Sequence, residues 1–373
     1  MTDHQISSMR VHTLRIPALT VHSHGSGDVG GINTVLCELT TDSGLTGWGE
    51  GAPWPVFTGT VEGNAAALHT HLRPHVIGCD PAQVSPIMAA ADRILVGHGE
   101  AKAALECALL DLGGQITGLP IAELLGGRHR DQIPLSFSVA NPDFDRDLDD
   151  IARIHAEGVH IFKLKAGFTD HEFDLMRLEK LRKVYGDDIR LRVDYNQGLP
   201  ARDAIRTIRD LEAFRPDFVE QPVPAHQFEA MQQITRAIDV PVMADESVFT
   251  LPDALRAVSL RMCDIISLKT SKSGGIRRCL EIASVAQAAG MDVYGGCMFE
   301  TSIGHMAGTH LMAAIPDLTL GCEFYMSTFY AEADIAMPPF PVRAGHVHVP
   351  TQPGLGTAPD PAKLAQFSTG CLS

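Results

Sequence analysis

No run of apolar residues approaches the roughly 20 that a membrane-spanning helix needs, and the N-terminal segment lacks the apolar core of a cleaved leader. Basic residues are scarce: 30 lysines and arginines stand against 45 aspartates and glutamates, a formal charge of −15. That balance excludes nucleic acid, whose phosphates demand a basic footprint, and an anionic membrane surface. It does not exclude a small anionic substrate, because a metal ion or a few lysines reverse the potential inside one pocket. The eight cysteines lie far apart with no Cys-x-x-Cys pair. They read as buried, reduced thiols of a cytoplasmic protein rather than as disulfides or a zinc site. There is no His-Glu-x-x-His, no Gly-x-Ser-x-Gly elbow, no Walker loop and no internal repeat.

What is present is a chain of 373 residues with 45% hydrophobic and 20% charged residues, enough for a barrel and one extra module. Residues 1–127 read as an α+β module. Residues 34–39 alternate like a strand, Thr41-Asp42-Ser43-Gly44 is turn chemistry, and residues 45–50 return. Residues 60–118 are helical, with few breakers before Gly113, and Gly126-Gly127 closes the module. From 128 to 342 strand-like runs alternate with helical text: 133–139, 161–164, 189–193, 218–219, 240–243, 265–268, 293–294 and 318–320. Eight such units, buried on both faces, predict an α/β fold of the (β/α)8 barrel type. Residues 343–373 form a tail with one alternating strand and Pro/Gly turns, expected to return to the first module.

In a barrel, the residues that do chemistry sit at the C-terminal ends of the strands. The second run ends in Lys163-Leu164-Lys165, whose period of two sends both lysines to one side. The next four end in Asp194, Glu220, Asp245 and Lys269, at spacings of 29, 26, 25 and 24 residues from Lys165 onward. Taken singly, an acid at a strand end is more often a helix cap or a solvated loop residue. The regular recurrence over five units is what distinguishes this set. Three carboxylates cannot share a dry pocket uncompensated, and a hard divalent cation such as Mg²⁺ relieves the repulsion. Such an ion binds a substrate carboxylate as a Lewis acid, and two flanking lysines can move a proton at the adjacent carbon. Lys163 beside Lys165 is expected to lower the pKa of Lys165.

The stretches KLK (163–165), VDYNQ (193–197), VEQP (219–222), ADES (244–247) and KTSKSGG (269–275) resemble the enolase superfamily, within it the muconate-lactonizing subgroup. The capping segment, with Gly47-Trp48-Gly49-Glu50 and Leu124-Leu125-Gly126-Gly127, resembles that family's N-terminal domain, so the likeness covers nearly the whole chain. It implies a modified TIM barrel under a capping domain built from the N-terminal segment and the tail. It also implies a homo-oligomer, a small carboxylate substrate and Mg²⁺, with Mn²⁺ as a substitute, bound by Asp194, Glu220 and Asp245. Lys165 and Lys269 become the acid/base pair, with Lys163 tuning Lys165.

Mandelate-racemase relatives place a histidine after the seventh strand, where this chain has Gly296-Cys297-Met298-Phe299-Glu300. Dipeptide epimerases, similar over residues 53–60, carry an Asp-x-Asp on the eighth strand to hold an amine. Here Gly321-Cys322-Glu323-Phe324 is similar to the muconate cycloisomerases, with Glu323 at their functional glutamate, although Tyr325-Met326-Ser327 departs from their Gly-Pro. The expected activity is a cycloisomerisation of muconate type. The alternatives are a racemase or epimerase of an amino-acid derivative, and a dehydratase of a hydroxy acid or hydroxyproline, through the same enolate. Residues 22–31 are Gly-rich and read as a surface loop able to cover the mouth. His24, Trp54, Phe57, Asn196, Cys297, Met298 and Glu300 are the candidate substrate contacts. His305, His310, His346 and His348 read as structural, and Ser273-Gly274-Gly275 could cradle an anion.

Overall fold

Strands Ile6–His24, Gly27–Thr41 and Thr46–Gly51 pair antiparallel in a computed structural model that describes residues 4–373. The second and third are joined by the expected turn, with Gly44 at φ 87°. Helix Gly99–Thr117 packs on this sheet, and the sequence Gly47-Trp48-Gly49-Glu50-Gly51 explains how closely. A Cβ on Gly47, Gly49 or Gly51 would stand 2.4, 2.0 or 2.3 Å from the carbonyl oxygens of Ala108, Ala104 and Glu100. Two strand residues advance roughly 6.7 Å and four helix residues about 6 Å, so a glycine stripe of period two fits a row of carbonyls of period four. Gly113, read as a breaker, lies with Gly114 inside the helix. Gly114 admits Gly354 of the tail, whose Cα would be 2.4 Å from a Cβ there.

Residues 22–31 are not a free loop. They are the tip of the first hairpin, paired as His22↔Val29, Ser23↔Asp28 and His24↔Gly27. His22, Ser23 and His24 are buried against the barrel while Gly25, Gly27 and Asp28 stay exposed: Ser23 N donates to Ala140 O at 2.9 Å, and Ser26 Oγ donates to Asn196 O at 3.0 Å.

The barrel strands are Ser136–Val139, Ile161–Lys165, Arg190–Asp194, Val219–Glu220, Val242–Ala244, Ile265–Leu268 and Asp292–Gly295, parallel and in chain order. The expected eighth strand at 318–320 is irregular chain instead. Closure falls three residues later, where Cys322 bridges both Leu135 and Gly295. Ser136 N donates to Cys322 O at 2.7 Å and Glu323 N to Gly295 O at 2.9 Å. Pro316 and Gly321, with Gly321 at φ 75°, keep the preceding residues out of the ladder. The run read as 133–139 is also split. Gln132–Pro134 turns out of the barrel to pair with His346–His348 of the tail, while Ser136–Val139 continues inside.

Along the second and third strands Phe162, Leu164, Leu191 and Val193 join the core under the helices. The period of two then places Lys163, Lys165, Arg192 and Asp194 inside the barrel. The floor beneath the mouth is an apolar layer of Phe218, Met243, Ile265, Tyr294 and Leu320. Fully buried Arg192 threads it, donating to Leu320 O at 2.6 Å and lying 5.0 and 4.9 Å from the rings of Phe218 and Tyr294. The tail ends as strand Ser368–Leu372 on the edge of the first strand, with Val11↔Leu372 in register.

Two smaller readings resolve. All eight cysteines are unpaired. The anion expected near Ser273-Gly274-Gly275 is the chain's own Glu106, whose Oε2 accepts from Arg277 N at 3.2 Å and would lie 2.1 Å from a Cβ on Gly275. Among the described residues no helix is long and apolar enough to cross a membrane.

Candidate active site at the barrel mouth

Five successive strand ends bring Lys165, Asp194, Glu220, Asp245 and Lys269 to one mouth, with Lys163 one step deeper, all six buried. Lys165 Nζ donates to Asp194 Oδ2 at 2.6 Å and to Asn196 Oδ1 at 3.2 Å. Lys269 Nζ donates to Asp245 Oδ2 at 2.6 Å. Lys163 Nζ sits 2.6 Å from Glu220 Oε2, 2.5 Å from Glu323 Oε2 and 3.5 Å from Asp194 Oδ2. A residue absent from the candidate set completes the network: Lys272 Nζ donates to Asp245 Oδ1 at 2.8 Å and to Ser267 O at 2.9 Å. It is three residues past Lys269, on the short helical turn Thr270–Ser273, and that spacing was its only signal.

The backbone at these strand ends is held in unusual conformations. Asn196 and Gln221 have φ of 41° and 32°, the kind of strain that persists only where surroundings over-determine it. Gln221 supplies part of that determination. Its Oε1 accepts from Asp245 N at 3.0 Å and its Nε2 donates to Ser247 Oγ at 2.8 Å, locking the fourth strand end to the fifth.

The electrostatics follow from burial and neighbours. Burial alone would raise Asp194 and Asp245, but Lys165 and Lys163 hold Asp194 well below the carboxylate range, and Lys269 and Lys272 hold Asp245 at about 2. Glu220 is pushed well up by burial and by the Asp194 carboxylate, with Lys163 opposing. Glu246 is pushed up to about 8 by burial, then by Asp245 and Asp194. Burial opposes the charge on Lys163, yet Glu220 and Glu323 raise its pKa well above the ordinary value. Lys163, expected to act on Lys165, is paired with Glu220 and Glu323, whose oxygens lie 2.6 and 2.5 Å from its Nζ.

Five carboxyls (Asp194, Glu220, Asp245, Glu246, Glu323) face four ammoniums (Lys163, Lys165, Lys269, Lys272), all buried. Ionising all five would leave a negative surplus, a repulsion that joins burial in pushing Glu220 and Glu246 up, and Glu220 Oε1 is buried without a hydrogen-bond partner. An all-oxygen donor set with unmet negative charge fits a hard divalent cation held by Asp194, Glu220 and Asp245.

Above this layer lies a small, partly open cavity of about 30 Å³, lined by His24, Trp54, Phe57, Ser138, Lys165, Asn196, Lys269, Cys297, Met298, Phe299, Glu323, Tyr325 and Met326. That is room for little more than one water. Of the candidate contacts, His24, Trp54, Phe57, Asn196, Cys297 and Met298 are on the wall. Glu300 is not: its carboxylate is taken by Ser271 Oγ at 2.9 Å and Met298 N at 3.1 Å, and burial pushes it up to about 7. Ser138 and Tyr325 are on the wall and were missed, although Ser138 has the inward parity of its strand and Tyr325 stands two residues past Glu323. His305 and His310 are wholly buried in helix Ser302–Ala314, and burial lowers them to about 3 and about 4.

The N-terminal domain of the mandelate racemase/muconate lactonizing enzyme family matches residues 10–126, and an enolase C-terminal domain-like unit matches residues 147–363. The chain belongs to the mandelate racemase/muconate lactonizing enzyme family of the enolase superfamily. It is an enzyme of that family's divalent-metal-dependent isomerase type. Within the family it is 36% identical over 329 residues to a chloromuconate cycloisomerase of Cupriavidus pinatubonensis, covering 87% of this chain and 89% of the relative. It is 34% identical over 314 residues to an L-Ala-D/L-Glu epimerase of Clostridium acetobutylicum, covering 83% and 87%. The structure of a muconate lactonizing enzyme from Pseudomonas fluorescens complexed with muconolactone superposes with a TM-score of 0.95 at 30% identity, covering 98% of this chain and 100% of the other.

Proposed function

We propose that this enzyme isomerises a small carboxylate through an enolate, with Lys165 and Lys269 handling the proton on the carbon next to the carboxylate. One observation carries the reading. Two ammoniums, from the second and sixth strands, are each 2.6 Å from a carboxylate, Asp194 and Asp245, on either side of Glu220. A divalent cation held by Asp194, Glu220 and Asp245, Mg²⁺ with Mn²⁺ as a substitute, would supply Lewis acidity toward the charge that grows on the substrate carboxylate. Lys165 and Lys269 each reach the cavity, where an amine takes the α-proton or an ammonium delivers it. Lys163 fixes Glu220 and Glu323 from below, and Phe57, whose ring is 5.2 Å from Lys269 Nζ, screens that lysine from water.

The first reading is a cycloisomerase of muconate type, in which a carboxylate adds across a conjugated double bond and a lysine protonates the resulting enolate. Glu323 supports it: it is the one carboxylate on the cavity wall and is paired with Lys163, so no free anion awaits a substrate ammonium. A second reading is a racemase or epimerase of an amino-acid derivative, or a dehydratase of a hydroxy acid. It is favoured by His24, whose buried, unpartnered Nε2 calls for a hydrogen-bonding group that muconate lacks. A homo-oligomeric assembly and a cytoplasmic location belong to the same proposal. The deciding experiment is proton NMR of the enzyme with Mg²⁺ and cis,cis-muconate in D₂O. A lactone carrying one deuterium supports the first reading. Inert muconate with α-proton exchange in N-acyl amino acids or proline derivatives supports the second.

A further inference from the structure

Arg177 carries a charge yet is fully buried, and it stands on the helix that follows the second barrel strand, His171–Tyr185. Its guanidinium lies 5.1 and 4.8 Å from the rings of Phe168 and Phe173, which shield it from water. Asp174, three residues earlier and so on the same helix face, is its partner: Arg177 Nη2 donates to Asp174 Oδ1 at 2.5 Å. Desolvating such a pair is costly unless further hydrogen bonds offset it. Those further bonds go to the backbone that carries Lys165.

Arg177 Nη2 also donates to Lys165 O at 2.7 Å, and Asp174 Oδ2 accepts from Gly167 N at 3.1 Å. The pair therefore grips the chain on both sides of Ala166. Regular pairing stops at this point. The ladder to the first barrel strand ends at Val139↔Leu164, one residue short of Lys165, and the ladder to the third ends at Lys165↔Asp194. Just beyond, Gly167 takes φ 75°, and a Cβ there would stand 3.0 Å from Tyr195 Cδ1. The Lys165 main chain is thus held at the mouth by a side-chain clamp from the helix behind it as well as by the sheet. Lys269 has separate support: its carbonyl accepts from Ser273 N at 3.0 Å, and Gly296 N donates to Leu268 O at 3.0 Å.

We infer that Asp174 and Arg177 are positioning residues for Lys165, fixing its strand end so that the ammonium, 2.6 Å from Asp194 Oδ2, meets one face of the substrate. Neither residue lines the cavity. Both groups are needed as they stand. A carboxylate gives one oxygen to Arg177 and the other to Gly167 N, which an amide with a single oxygen cannot do. The planar guanidinium places two N–H groups of Nη2 on two acceptors, and a lysine ammonium keeps the charge without that fixed fork. The inference rests on the enolate reading for what Lys165 does, and on geometry alone for what holds it.

Arg177→Lys keeps a buried cation beside Asp174, and Asp174→Asn keeps one acceptor, so both are expected to fold, and either one suffices for the test. The first readout needs no turnover. Amide hydrogen exchange over residues 163–168 is expected to quicken about tenfold or more in each variant, while that over 265–270 stays as in the parent. The second readout is deuterium wash-in from D₂O, with Mg²⁺, into N-acetyl-L-alanine and N-acetyl-D-alanine. The enantiomer whose exchange Lys165→Ala abolishes should slow about 10- to 100-fold in the variants, and the other by less than about threefold. An ion pair that only stabilises the fold would slow both alike. Unchanged protection over 163–168, or equal losses on the two enantiomers, overturns the inference. Exchange of neither enantiomer by the parent would count against the enolate reading instead, and protection over 163–168 would then decide the clamp by itself.

Discussion

Lys163 Nζ lies 2.5 Å from Glu323 Oε2, an ion pair that spans the barrel interior from the second strand to the eighth strand end. The backbone closes the barrel only through residues 321–323, which bond to Pro134, Ser136 and Gly295, so this pair adds a side-chain fastening to a short ladder. Glu323→Gln leaves Lys163 paired with Glu220 at 2.6 Å. Turnover is expected to fall about 10- to 100-fold, as for a group that orients others, with the melting temperature changed by only a few degrees. Unchanged kinetics would remove Glu323 from the site.

Lys165 and Lys269 approach from opposite flanks of the carboxylate row. Each should therefore handle the proton on one face of the substrate. Replacing either by alanine is expected to lower turnover by about 10²–10⁴-fold. Deuterium wash-in from D₂O, read for each enantiomer, should fail for opposite enantiomers in the two variants. Loss on the same enantiomer in both would contradict a two-sided arrangement.

Asp245 is held by Lys269 and Lys272 as well as facing Glu220. Asp245→Asn is expected to fold yet show no turnover with added Mg²⁺. For the unaltered enzyme, EDTA should abolish activity and excess Mg²⁺ restore it. A cation present at a hundred times its dissociation constant stabilises by about 2.7 kcal/mol. Thermal melts should show that rise, and Asp245→Asn should lack it.

Glu106 is pushed up to about 7 by burial, against the Arg277 N–H and charge. Its folded pKa lies above the ordinary 4.5, so its contribution is complete below pH 4.5 and is lost as pH rises through about 7. Glu106→Gln removes that loss. Measured by urea unfolding, its stability relative to the parent should improve by on the order of 3 kcal/mol between pH 4 and pH 8. A constant difference across that range would mean that Glu106 is ionised throughout.

Gly49→Ala would place a methyl 2.0 Å from the Ala104 carbonyl oxygen, a backbone atom that cannot swing aside. A loss of about 3 kcal/mol or more is expected in denaturant melts. Gly30→Ala, which meets nothing within 4 Å, is the control.

The strand-end set was legible because a barrel repeats one spacing and points alternate residues inward. That is why Lys163, Lys165, Asp194, Glu220, Asp245 and Lys269 could be read from text alone. What lay outside that rhythm was not. The tip at His24 reads as loop because glycines hide its pairing, and its burial depends on Asn196, 172 residues away. Glu300 carries the right chemistry at the right place, but its carboxylate is claimed by Ser271 and Met298, which no periodicity reveals. The eighth strand was misplaced by three residues because the apolar run at 318–320 supplies the barrel floor, through Leu320, and not the ladder.

The glycine stripe of Gly47, Gly49 and Gly51 also bears on how this enzyme could change its diet. Because strand and helix meet backbone to backbone at the three glycines, the closest contacts involve atoms that every residue shares, and the frame is almost a rigid casting. The chain leaves the frame at Gly51 and, three residues later, places Trp54 on the cavity wall, with Phe57 following. Substitutions in that short overhang can reshape what the cavity admits while the casting is left untouched. New substrates can thus be tried at little cost to the fold, with the strand-end lysines and carboxylates kept in place.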